Sequence, residues 1–107
     1  MLLIRETFIN ADEGYVFGES EPYEAWTDEP GRLFRTMQRE YGRCVSSIYI
    51  DPPEGGPPIR CGWVFQGKQR YEDTNEPYTR EVWVHLYDQY EQRVVTDATP
   101  HVLGRGV

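Results

Sequence analysis

The chain has 107 residues, 38% of them hydrophobic and 14% aromatic, which fits one domain with a modest core in which rings supply much of the buried area. Its formal net charge of -7 argues against a general nucleic-acid binder, which needs a basic surface to neutralise phosphates. No run approaches the roughly 20 apolar residues of a membrane helix, and MLLIRE meets Glu6 too soon for a signal-peptide core; the expectation is a soluble cytoplasmic protein with no membrane contact.

The charge is unevenly spread. Residues 1–31 carry eight acids (Glu6, Asp12, Glu13, Glu19, Glu21, Glu24, Asp28, Glu29) against Arg5 alone. Residues 32–50 reverse the sign, with Arg32, Arg35, Arg39 and Arg43 against Glu40. Such segregation allows a basic protein partner on one surface and an acidic one on another. Cys44 and Cys61 fit buried thiols in a reducing compartment, and a disulfide between them as strand neighbours stays open.

In chain order, residues 2–9 (LLIRETFI) read as a strand and Asn10–Gly14 (NADEG) as turn chemistry. Tyr15–Phe17 is a short second strand, and Gly18–Glu24 is acidic and irregular. A helix follows, with Thr27 as N-cap, Asp28, Glu29 and Pro30 in its first turn, and Gly42 as its C-terminal cap. At about 100° per residue, Leu33, Phe34, Met37 and Tyr41 share one face, and the four arginines form a stripe on the other.

Cys44–Ile50 (CVSSIYI) is a strand, and the four prolines and two glycines of Asp51–Pro58 end it. Then comes a long hairpin, Ile59–Gln89, broken at DTNEP (Asp73–Pro77). Pairing its arms symmetrically about that loop sets Trp63 opposite Tyr87, Phe65 opposite His85 and Gly67 opposite Trp83. One face then collects Trp63, Phe65, Tyr71, Trp83, His85 and Tyr87, and the other Val82, Val84 and Leu86. A slip of one residue would exchange the faces on one arm. Arg93–Thr96 fits a last short strand and 97–107 a partly ordered tail. The whole is expected to be a single α+β domain, with one amphipathic helix on an antiparallel or mixed sheet of about five strands.

No GxSxG, P-loop, GxGxxG or CxxC is present. His85 and His101 lack metal-ligand spacing with the cysteines, so no metal and no cofactor is assigned. Glu72 and Asp73 sit at a hairpin tip, where little desolvation raises a carboxyl pKa. No catalytic residue is assigned.

The partner-binding candidates are Glu19, Glu21, Glu24 and Trp26 on the acidic-aromatic segment and Arg35 and Arg39 on the helix. For the acids, the ordinary alternative is a solvated edge with half-buried rings; for the arginines, the solvated side of an amphipathic helix. A second reading places an enzymatic or ligand pocket around His85, lined by Trp63 and Tyr87. A third is a self-assembling structural component: Val82, Val84 and Leu86 need a cover that a second copy could supply, giving a homodimer.

The segment GWVFQGKQRYEDTNEPYTREVWVHL (Gly62–Leu86) resembles one found in small uncharacterised accessory proteins of actinobacterial phages, and the arginine-rich, lysine-poor composition points the same way. The resemblance covers about a quarter of the chain and brings no catalytic residue. It implies a phage context, in which proteins of this size are often accessory factors that bind a host protein; the charge segregation and the lack of a catalytic set add the expectation that this one is non-enzymatic.

Overall fold

The computed structural model describes residues 1–88. It is an α+β fold: one helix packed on an antiparallel sheet of six strands. The strands are β1 (Leu3–Asn10), β2 (Tyr15–Glu19), β3 (Tyr23–Glu24), β4 (Arg43–Ile50), β5 (Ile59–Arg70) and β6 (Pro77–Tyr87); α1 (Pro30–Tyr41) lies between β3 and β4 in sequence. The sheet order is β2-β1-β6-β5-β4, and β3 pairs with β1 beyond the end of β2. β2 and β3 therefore run one after the other along the outer edge of β1, with Glu19 opposite Thr7 and Glu24 opposite Leu3. The last short strand expected at Arg93–Thr96 and the tail at 97–107 lie outside the described residues.

α1 begins two residues later than its sequence signals suggest. Thr27 Oγ1 accepts from the Glu29 amide at 3.1 Å, closing a turn before the helix. Glu29 then takes the N-cap position without a side-chain cap, and Pro30 opens the first turn, where its missing N–H costs nothing. The apolar stripe is as expected: Leu33, Phe34, Met37 and Tyr41 are buried against the sheet. Phe34 sits 5.4 Å from the Trp63 ring and 5.6 Å from the Phe65 ring, centroid to centroid. A fully buried ring of this kind contributes about 1.5–3 kcal/mol.

The hairpin exists, but its register differs from the symmetric pairing. Trp63 lies opposite Val84, Phe65 opposite Val82, Gly67 opposite Arg80, and Val64 opposite Trp83. The connecting loop covers residues 71–76 rather than 73–77, closed by Tyr71 N–H to Glu76 O at 2.9 Å and Asn75 N–H to Tyr71 O at 2.8 Å. Asn75 takes the left-handed conformation (φ 61°) that this closure needs. The offset between arms is odd, so every β6 side chain changes face.

Val82, Val84 and Leu86 thus join Trp63, Phe65, Ile4 and Phe8 beneath α1. The homodimer expectation loses the observation that motivated it, because α1 itself covers the aliphatic row. Trp83, His85 and Tyr87 point to the other face, beside Thr7, Arg5 and Leu3 of β1. Trp83 there donates from Nε1 to Glu81 Oε1 at 2.6 Å, and the second Glu81 oxygen accepts from Gln66 Nε2 at 2.7 Å. Cys44 and Cys61 are both buried, and no disulfide joins them.

Candidate functional site

The partner-binding candidates fall in two separate places. α1 lies over β4 and β5, and Arg35 and Arg39 point from its outer side into solvent. Arg39 is spent locally, on Thr36 Oγ1 at 3.4 Å, and Arg32 on Glu29 at 3.5 Å. Glu19 and Glu24 stand at the far edge of the sheet, on β2 and β3, with exposed Glu21 in the connection between them. The acids and the arginine stripe do not form one surface.

The residues expected to line one pocket around His85 are not brought together. Trp63 is fully buried under α1, whereas His85 and Tyr87 lie on the opposite face of the sheet, a direct result of the hairpin offset. Tyr87 instead receives the Arg5 guanidinium over its ring at 5.9 Å. Among the described residues, no group of three or more His, Cys, Asp or Glu side chains converges as metal ligands would, and no helix is long and apolar enough to cross a membrane.

The outer edge concentrates exposed apolar surface. Eight large hydrophobic residues are exposed among those described, and five of them, Tyr15, Val16, Phe17, Tyr23 and Trp26, lie within residues 15–26. Trp26 is 57% exposed. Glu19, Glu21 and Glu24, interleaved with these rings, have no side-chain partner among the described residues. The alternation of β2 sends Val16 to one face and Tyr15 and Phe17 together to the other, where their rings meet.

Two buried polar residues hold this edge. Glu6 of β1 is only 5% exposed, and its carboxylate accepts from the Tyr41 hydroxyl of α1, with Tyr23 of β3 close enough to feel its charge. Burial, the hydrogen bond to Glu6 and the nearby charges of Glu6 and Glu40 push the Tyr41 phenol far above its usual range. Tyr23 is raised by burial first and then by the same carboxylate. Both phenols therefore stay neutral, and the Tyr41 hydroxyl ties the end of α1 to β1 through one buried carboxylate. The Arg80 guanidinium covers the other side of the Tyr41 ring, 5.1 Å from its centroid.

Asn10, fully buried at the end of β1, does the second job. Its Oδ1 accepts from the amides of Asp12 and Glu13, each at 3.1 Å, and its Nδ2 donates to Tyr71 Oη at 2.6 Å and Glu13 Oε2 at 3.2 Å. The β1–β2 turn is thereby fastened to the hairpin loop. Between them opens a cavity of about 360 Å³ lined by Tyr15, Phe17, Tyr71 and Tyr78 together with Asn10, Gln69, Arg70 and Glu72.

Sequence reasoning found the acidic-aromatic segment but missed Glu6, Asn10, Tyr71 and Tyr78. NADEG announces a turn, which signals the Asn10 conformation, yet nothing local announces a tyrosine 61 residues away. No protein-family model matches the chain, and no similar curated protein or solved structure was found, so the reading of this edge rests on its own geometry.

Proposed function

We propose that the protein is a non-enzymatic binding factor that docks a basic protein partner on the β2–β3 edge, through Glu19, Glu21, Glu24 and Trp26 with the rings around them. One observation carries this reading: five of the eight large exposed hydrophobic residues share twelve positions with three carboxylates that have no partner among the described residues. Exposed rings beside unspent charge are what a partner covers, the rings giving buried area and the acids giving steering and register. In the context that the Gly62–Leu86 resemblance implies, the partner is a host protein. Arg35 and Arg39 face solvent elsewhere, over β4 and β5, and this reading assigns them no part in the contact.

The test is affinity capture from a high-GC actinobacterial lysate with three baits: the native protein, Glu19→Lys/Glu21→Lys/Glu24→Lys, and Arg35→Glu/Arg39→Glu. The native bait and the arginine variant are expected to retain the same basic protein at low salt and lose it at high salt, because a Debye length of about 10 Å at 0.1 M shrinks to about 3 Å at 1 M. The acid-reversed bait is expected to retain none. Equal recovery by the acid-reversed bait overturns the proposal.

A further inference from the structure

The cavity beside Asn10 has the form of an aromatic box. The Tyr15 and Phe17 rings meet at 68° with centroids 6.5 Å apart, and the Phe17 and Tyr78 rings at 78° with centroids 6.4 Å apart. Two successive corners near a right angle make three walls. Tyr71, which also lines the cavity, stacks on Tyr78 at 4.6 Å and holds that ring in place. Hydrophobic packing alone does not account for such rings, because Tyr15 is 47% and Phe17 46% exposed.

From this geometry we infer that the box binds an alkylated ammonium head group. The face of an aromatic ring is its negative side, and three such faces around one space attract a cation. Glu72 lines the cavity and Glu13 stands 3.2 Å from Tyr71 Oη, so the surrounding charge favours the same sign. The one cationic side chain in the lining, Arg70, is turned to the Asn75 carbonyl at 2.7 Å.

The ligand class follows from the rings that dominate the walls. A bare ammonium carries three N–H donors that need acceptors. Glu13 Oε2, beside Tyr71, already receives Asn10 and Tyr71, and four of the eight lining residues are aromatic against one carboxylate, Glu72. A head group whose nitrogen bears methyls makes no such demand, and it buries its methyls against the rings. At about 360 Å³ the cavity is of small-ligand size. The inference deepens the proposed function and rests on it in one respect, namely that the head group belongs to a side chain of the basic partner.

The test is an NMR titration of the intact protein with tetramethylammonium, with neopentyl alcohol as an uncharged analogue of similar shape and a proline-rich peptide as a competing occupant. Saturable shifts are expected at Tyr15, Phe17, Tyr71 and Tyr78 with tetramethylammonium only. Phe17→Ala and Tyr78→Leu, the second keeping apolar volume but not the ring, are each expected to weaken binding by about tenfold. The Phe17→Ala spectrum should otherwise match the native one, since Phe17 is half exposed, and that of Tyr78→Leu should differ only beside its stacking partner Tyr71.

Equal shifts with neopentyl alcohol, shifts with the peptide but not the cation, unchanged affinity in Tyr78→Leu, or no shift up to a concentration on the order of 50 mM each overturn the inference. Free tetramethylammonium needs no partner, so the two proposals fail separately. Glu19→Lys/Glu21→Lys/Glu24→Lys is expected to bind it within about twofold of native. If that variant also captures the partner normally, the docking edge is wrong and the box stands.

Discussion

Gly42, which ends α1, and Gly67, in the middle of β5, meet backbone to backbone. A Cβ on Gly42 would stand 2.8 Å from the Gly67 Cα and 2.6 Å from the Gln66 carbonyl carbon, and one on Gly67 would stand 3.2 Å from the Tyr41 carbonyl carbon. Gly42 also holds φ at 118°, which L side chains rarely adopt. This close approach brings the last turn of α1 down onto the sheet. It places Tyr41 where its hydroxyl reaches Glu6 of β1.

Alanine at either glycine should therefore cost more than a conformational penalty. Gly14, with φ of 75° and nothing within 4 Å of a built Cβ, serves as the comparison. Gly14→Ala is expected to lose about 1 kcal/mol, the conformational part alone. Gly42→Ala should lose about 3 kcal/mol or more, because backbone atoms must move apart. Gly67→Ala should fall on the same side of Gly14→Ala. Urea unfolding of the three variants measures this, and equal losses would mean that the approach of α1 to β5 is not tight.

The buried Glu6 carboxylate makes stability sensitive to alkali. In the folded chain the Tyr41 phenol is held neutral well above its usual value of 10.0, whereas in the unfolded chain it ionises near that value. The stabilisation is thus fully present below pH 10 and lost as pH rises above it, at about 1.4 kcal/mol per pH unit for this group. Tyr23 pushes in the same direction. The urea midpoint is expected to fall steeply between pH 9.5 and 11 (about one unit around the tyrosine range) and less steeply in Tyr41→Phe. At pH 7 that variant should already be about 1–3 kcal/mol less stable, having lost a donor to a buried carboxylate. An unchanged alkaline slope would show that Tyr41 does not carry the effect.

What was legible in the sequence was mostly local. The helix face of Leu33, Phe34, Met37 and Tyr41 and the Gly42 stop follow from periodicity and capping, and both stand. Thr27 misled because its hydroxyl does bond a following amide, but in a turn two residues before the helix. The hairpin was legible as two arms, yet its register depended on where six loop residues close. One odd shift moved Val82, Val84 and Leu86 into the core and took His85 and Tyr87 away from Trp63. The anchors of the candidate edge were out of reach for the same physical reason: Glu6 finds Tyr41 across 35 positions and Asn10 finds Tyr71 across 61, and such pairings are products of the sheet, not of neighbouring residues.

The two cysteines report on the same core. Cys44 is 7% exposed, donates to the Ser46 carbonyl at 3.2 Å, and has its thiol pushed up by burial; Cys61 is fully buried. A thiol that is both covered and protonated reacts slowly. Labelling with a disulfide reagent at pH 8 is expected to be slower than in denaturant by about a thousandfold or more, limited by opening of the fold. One fast thiol in the native protein would place the β4 end of the sheet outside the cooperative core.

The acidic edge should be readable in the fluorescence of its own tryptophan. Trp63 is fully buried and Trp83 half-buried, whereas Trp26 is 57% exposed with Glu24, Asp28 and Glu29 close in the chain. A quencher of either charge reaches Trp26, but the local field sorts them. Caesium is expected to quench the red-edge emission more strongly than iodide, after each is scaled to its action on free tryptophan. Trp26→Phe should remove most of that difference. Glu21→Lys/Glu24→Lys should reverse it while leaving quenching by neutral acrylamide unchanged. Salt at about 1 M should erase the preference, since the Debye length then falls to about 3 Å. Equal quenching by the two ions at low salt would mean that the edge carries no field able to steer a basic partner, and the docking reading would lose its electrostatic half.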